Sequence, residues 1–320
     1  MIITRTPFRV SLFGGSTDYR SYYHQYGSEI IGFCIDKYSY VNTRYTPSIL
    51  DYDTRVAYSK VETVDDNTKI EHDGVRGVLE YLKVKSAIDI NHFSDLPAQT
   101  GTGSSSSFVV GLLHAIHTLN KKSVSKRQLA DEAIAIERGL LNESGGIQDQ
   151  IWAAYGGFNS ISMNSSGYNV RPMPLSEDFL KMFLEHSVLI YTGRSRKSFQ
   201  IAKSHDNPDS IENKHNIQKL SKDAYKAFQN EDLFTIGYLL NRSWAEKKRI
   251  SNMVSSAHVD EIYEDLHKNR MNGKLLGSGG SGFIFGIFEN IDDKNKMVEK
   301  YKKLNVNFNF DFEGSKIIYG

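Results

Sequence analysis

From Thr6 to Phe13 apolar and polar residues alternate with period two, which puts Phe8, Val10 and Leu12 on one face and Arg9, Ser11 and Phe13 on the other. The pattern predicts a strand whose Arg9 looks away from the packed face, ending in Gly14-Gly15-Ser16-Thr17-Asp18-Tyr19. Further alternation predicts strands over 38–45, 55–64 and 87–93, and 74–82 reads as a helix. Val109, Leu112, Leu113, Ile116 and Leu119 then recur at helical spacing. Ser125 opens another helix with Gln128 three positions on, the arrangement of a capping box. Along its apolar row Ala130, Ile134 and Leu141 the chain inserts Glu137, a carboxylate that costs free energy there unless it is paired, bound to a cation, or at an edge that reaches solvent. The segment 147–155 reads as a short helix ended by Gly156-Gly157, with Asp149 in its first turn, where the helix dipole alone favours an acid.

The pattern changes near Tyr168 to Leu175, around Pro172 and Pro174, and this predicts a boundary between a domain of residues 1–172 and one of 173–320. Beyond it come a short apolar strand over 187–191, helical spacing over 211–250 and 259–269, and two apolar strands flanking the glycine-rich turn 277–282. A last helix over 297–304 and a terminal strand carrying Val306, Phe308, Phe310 and Phe312 complete the reading.

Composition narrows the class. The formal net charge of the 320-residue chain is +1, so no global field recruits nucleic acid or an anionic membrane, and any anion site must be local. Its one cysteine, Cys34, rules out an internal disulfide and fits a buried apolar position and a reducing cytoplasm. No leader pattern opens the sequence, no apolar run approaches the roughly 20 residues of a membrane span, and the ten histidines are scattered without zinc spacing.

The stretch Leu96-Pro97-Ala98-Gln99-Thr100-Gly101-Thr102-Gly103-Ser104-Ser105-Ser106-Ser107 carries the candidate chemistry. Glycines that permit positive φ, followed by serines that can cap the helix behind them, aim backbone N–H groups and a helix dipole at one point, which suits a phosphate chain. The lysine of the P-loop is missing, and a flexible linker has the same composition. The predicted strand on one side and amphipathic helix on the other argue against a linker. Arg194, Arg196 and Lys197, in the run 192–198, are a second candidate anion site or simply a solvated loop.

Together, Pro7-x-Arg9 through Gly14-Gly15-x-Thr17-Asp18-Tyr19, the loop from Leu96 to Ser106, and the turn Gly277 to Gly282 resemble the three motifs of the GHMP kinases, the superfamily of galactokinase, homoserine kinase and mevalonate kinase. Arg5 to Ser11, Ile35-Asp36-Lys37-Tyr38, Gly146-x-Gln148-Asp149-Gln150 and Lys274-Leu275-Leu276-Gly277 are most similar to the branch that phosphorylates heptose 7-phosphate. Gln99, Thr102, Ser106 and Ser281 depart from the usual motif residues, and Gly15-Ser16 stands where galactokinases have Glu-His.

The resemblance implies an α+β fold of two domains, the first with a left-handed β-α-β crossover and the second ferredoxin-like, with ATP between them. It implies transfer of the γ-phosphoryl of ATP to the anomeric hydroxyl of D-glycero-D-manno-heptose 7-phosphate, a step towards GDP-heptose and surface polysaccharide. Another sugar kinase, fucokinase-like or acting on a free sugar, and a non-catalytic sugar and nucleotide sensor are the alternatives. In the implied site Gly101, Thr102, Gly103, Ser104, Ser105 and Ser106 cradle the nucleotide phosphates, and Ser105 and Glu137 hold Mg²⁺, a hard cation that prefers oxygen ligands. Asp149 handles the acceptor's proton and Arg9 steadies the developing alkoxide. Gly15, Thr17 and Asp18 meet the sugar, and Arg196, with Arg194 and Lys197, meets its phosphate, arginine being able to bind phosphate through two parallel hydrogen bonds. The expected partner is a small-molecule sugar phosphate, with no nucleic acid or membrane, and a homodimer is allowed.

Overall fold

A computed structural model describes residues 1–85, 87–193 and 208–320. Its spine is a pair of strands, β1 (Ile2–Phe13) and β2 (Ser28–Tyr45), antiparallel from Ile2 opposite Thr43 to Phe13 opposite Ile31 and joined through α1 (Arg20–Tyr26). The pairing slips between Ser11 and Phe13, so Leu12 lies at a bulge. β3 (Thr54–Ala57) and β4 (Val61–Val64) are a hairpin where the sequence suggested one strand over 55–64, because the chain reverses at Tyr58 to Lys60. α2 (Asp73–Tyr81) then leads to β5 (Ile88–Ser94), which runs parallel to β3 and antiparallel to the second half of β2.

α3 (Ser104–Leu119) and α5 (Gln148–Tyr155) cover this sheet, α4 (Lys126–Ile134) packs on those two helices, and Ser125 caps α4 by accepting from the Gln128 N–H. β6 (Phe158–Asn164) pairs with the first half of β2 and with β7 (Gly167–Pro172). At 18 residues β2 is long enough to serve both neighbours, and so it connects the α3 side of the sheet to the part nearer the second domain.

The second region begins with α6 (Glu177–His186) and β8 (Ser187–Tyr191). The helical stretch expected over 211–250 is two helices, α7 (Ile211–Gln229) and α8 (Leu233–Ile250), broken where Glu231 takes φ 54° and Asp232 caps the next helix through Thr235. α9 (Ala257–Lys268), β9 (Met271–Leu275), β10 (Phe283–Phe288) and α10 (Ile291–Lys300) follow, and the strands form a sheet in the order β8-β10-β9. A fourth, ferredoxin-like strand position is reduced to a bridge between Ile190 and Asn305.

The alternating run 306–312 is therefore not a terminal strand. Only β11 (Phe310–Asp311) pairs, with β2, and the last strand is β12 (Lys316–Tyr319) on β1. Phe308 and Phe310 instead send rings into a cluster around Phe33, at centroid distances of 5.9 and 5.1 Å. This core is shared: Phe8, Val10 and Leu12 meet Phe183, Leu240 and Phe285. The end of the chain thus returns to the first sheet.

Candidate active site

β5 delivers the chain to the glycine and serine loop. Gly101 and Gly103 adopt φ 79° and 76°, and α3 begins at Ser104 with Gly103 as its N-cap and no side-chain cap bond. The serines are thus the first turn of the helix rather than its caps, which frees their hydroxyls for other partners. Gly101 and Gly277 must both lack a Cβ because the two glycine turns touch: a Cβ on Gly101 would lie 2.6 Å from the Leu276 carbonyl oxygen, and one on Gly277 would lie 2.4 Å from the Gly101 Cα. The second and third sequence motifs, the cradle and the turn 277–282, are welded at this point.

Ser105 and Ser106 turn towards Glu137. Their hydroxyls lie 3.3 and 2.7 Å from its carboxylate, and Gln150 Nε2 also donates to it. Glu137 stands at a single turn of π-helix spanning Ala135–Leu140, and it is 1% exposed, so the solvent-edge reading is excluded. Burial raises its pKa, against the pull of Arg138 and these hydrogen bonds. A buried carboxylate with only neutral donors in hydrogen-bonding contact, next to a serine hydroxyl, has the oxygen chemistry of a site for a hard divalent cation.

Across the cavity Arg9 forms a two-pronged pair with Asp149: Nε to Oδ1 and Nη2 to Oδ2, each 2.8 Å. Arg9 is buried, and the expected open face of β1 is closed, because α3 and α5 cover it. Arg9 also joins the cradle, its backbone N–H donating to the Thr102 carbonyl at 3.1 Å and its Nη1 to the Gly101 carbonyl. Thr102 itself is fully buried and takes part through its backbone. Asp18 lies beside this pair, accepting from the N–H groups of Ser16 and Gln148, and its pKa is raised by burial first and by the charge of Asp149 second.

A cavity of about 680 Å³ collects Arg9, Asp149, Glu137, Asp18, Gly15 and the cradle. Thr17 does not reach it: the residue is fully buried and its hydroxyl is held by the Gly14 carbonyl at 2.6 Å, by Ser28 at 2.7 Å and by Gln218, so it fixes the turn that presents Asp18. Arg194, Arg196 and Lys197 lie outside the described residues.

The same cavity holds residues that sequence reasoning passed over. One end is lined by Tyr58, His72, His92 and Phe108, the two imidazoles lying 4.9 and 4.7 Å from the Phe108 ring. Burial lowers the pKa of both, to about 4 for His92, so this end presents flat, uncharged rings. The cavity also receives Lys247 from α8 and Lys274 from β9. Lys247 left a signal in the sequence. It continues the buried row Leu240, Trp244, Lys247, Ile250, as Glu137 does on its own helix.

Residues 73–157 match the GHMP kinases N-terminal domain. The chain is 27% identical, across 98% of its own length and 98% of the relative's, to the D-glycero-alpha-D-manno-heptose 7-phosphate kinase of Campylobacter jejuni. To the mevalonate kinase of Methanocaldococcus jannaschii it is 23% identical over 95% of this chain and 97% of that protein. Its fold superposes with a TM-score of 0.82, covering 100% of both chains at 24% identity, on a D-glycero-D-manno-heptose 1-phosphate kinase of Bacteroides thetaiotaomicron. Residues 73–157 thus form a GHMP kinases N-terminal domain, which brings the cradle, the buried glutamate and Asp149 to one cavity with Arg9, and the fold of the whole chain is shared with these relatives from end to end.

Proposed function

We propose that the protein is an ATP-dependent sugar kinase that phosphorylates the anomeric hydroxyl of D-glycero-D-manno-heptose 7-phosphate. The observation that carries the reading is the two-pronged Arg9–Asp149 pair directly beside the cradle, where a Cβ on Gly103 would lie 3.5 Å from Asp149 Oδ2. Phosphoryl transfer asks a protein mainly for positioning and charge stabilisation, and this junction supplies both. The acceptor hydroxyl gives its proton to Asp149 as its oxygen bonds to the γ-phosphorus, the bond from that phosphorus to the bridging oxygen breaks, and ADP leaves. Arg9 holds Asp149 in place and offers positive charge to the oxygen that is losing its proton. The aromatic end fits the nucleotide base. Glu137 and Ser105 would hold Mg²⁺, which neutralises charge on the nucleotide phosphates when bound.

The heptose assignment rests on the relatives' names, which agree on a heptose phosphate and differ in the position named. ADP release measured with ATP and a panel of heptose 7-phosphate, free heptose, galactose and fucose tests it. The expected result is strong preference for the phosphorylated heptose with the new phosphate on C1. Equal turnover of free and phosphorylated sugars would leave a free-sugar kinase instead.

A further inference from the structure

Neither the cradle nor the proton-handling pair uses Lys247 and Lys274. Both are nearly inaccessible, 4% and 3% exposed, yet both line the cavity. Neither forms a salt bridge among the described residues, although a buried ammonium without a counter-charge is costly. Each instead donates to a backbone carbonyl that the fold has released. Lys274 Nζ reaches Leu12 O at 2.9 Å, at the β1 bulge, and Lys247 Nζ reaches Gly277 O, at the second glycine turn. An ammonium has three donors, so each lysine keeps capacity for a ligand.

Lys247 sits at the glycine turn that touches the cradle, and Lys274 extends the same wall along β1. Leu12 lies three residues beyond Arg9, roughly 10 Å at about 3.3 Å per residue, and away from the cradle, which grips Arg9 itself. A second observation comes from the same wall. Ser11 Oγ and Gln148 Oε1 are buried, line the cavity and have no hydrogen-bond partner among the described residues. Two lysines with donors to spare and two oxygens without partners, in a wall that runs from the glycine turn past Asp149 to the end of β1, fit a polyhydroxylated molecule with an anionic end.

We propose that Lys247 and Lys274 form the subsite for the phosphate of the acceptor that does not react, with Ser11 and Gln148 meeting hydroxyls between the two ends. This rests on the sugar phosphate kinase reading. It moves the acceptor's anion from the loop 192–198 to the floor of the cavity and makes the two lysines determinants of phosphorylated over free sugar.

The test uses the full chain and the variants Lys274→Met, Lys247→Met and, as the charge-retaining control, Lys274→Arg. Methionine replaces an unpaired buried charge with an apolar chain of similar length, so melting temperatures at or above wild type are expected. Steady-state kinetics should show KM for heptose 7-phosphate raised roughly 10- to 100-fold in each methionine variant, the range of one lost charge-assisted phosphate contact. KM for ATP should stay within about twofold, and the slow turnover of free heptose should not change further, as expected for uniform acceptor binding. Lys274→Arg should recover part of the acceptor affinity.

A fall in kcat on free and phosphorylated sugars alike, with KM unmoved, would place the lysines on the phosphoryl in transit and overturn the proposal. An unchanged KM, or a rise seen only with Arg196→Ala, would return the site to the loop. Should the wild type prefer another sugar phosphate, the heptose reading falls while the same shifts on that acceptor still support the lysine pair. If only free sugars are turned over and inorganic phosphate does not inhibit competitively with them, the lysine proposal falls as well.

Discussion

Glu137 and Asp149 sit in the same cavity and present their charges in opposite ways. Glu137 is sealed among neutral donors, two serine hydroxyls and an amide, with its pKa raised by burial. Asp149 is already matched by a guanidinium through two parallel bonds of 2.8 Å. On the proposed function the Glu137 end would receive a positive charge, whereas the Asp149 end is already balanced by Arg9 and would hold one geometry. Identical chemistry in the side chain acquires two tasks from the donors placed around it.

The largest expected effect breaks the balanced end. Asp149→Asn should lower kcat by about 10²-fold or more, about 2.7 kcal/mol, with ATP affinity close to wild type and a lower melting temperature, because buried Arg9 loses its counter-charge. Near-normal turnover in a steady-state assay would leave Asp149 as structure only. The junction between the two ends comes next. Gly277→Ala asks a residue at φ 69° to place a Cβ 2.4 Å from the Gly101 Cα. A cost of about 1–3 kcal/mol is expected, seen in urea denaturation together with a raised KM for ATP.

At the Glu137 end, Glu137→Gln removes charge without making a cavity. Magnesium titration of activity should shift about tenfold or more to higher concentration, about 1.4 kcal/mol, while thermal stability without metal holds or rises. A titration that overlays wild type would make the glutamate a purely structural acceptor. The smallest effect is a tilt in stability with pH at the acceptor end. Burial, then the positive charge of Arg9, lowers the Lys247 pKa from 10.5 to about 8. Between those values the unfolded chain binds more protons than the folded one, so this lysine makes the ligand-free protein more stable as pH rises from about 8 towards 10.5. Melting temperatures measured across that window should rise less steeply, or fall more, in Lys247→Met than in wild type.

Much of this arrangement is legible in the sequence because it depends on local pattern. The period of two in 6–13, the glycines ahead of a helical row, and a lone carboxylate on an apolar row identify Arg9, the cradle and Glu137. The short range of these signals also limits them. The break at Asn230 to Asp232 was lost inside a helical pattern, and the alternation of Phe308, Phe310 and Phe312 imitates a strand although the chain there is crossing between two sheets.

What only the tertiary structure decided is which distant residues share a cavity. The resemblance assigned Thr17 to the sugar together with Asp18, but Gln218, 201 residues away, takes up its hydroxyl and leaves Asp18 facing the cavity. Lys247 and Lys274 come from a helix and a strand of the second region, and they line this cavity, with Lys274 meeting β1 at Leu12, because the two regions share one core. Periodicity reports the side of an element that is buried. Whether that side meets a neighbour's apolar wall or an open cavity depends on long-range packing, and so the sequence determined the cradle, Arg9 and Glu137 while the fold selected the residues that face them.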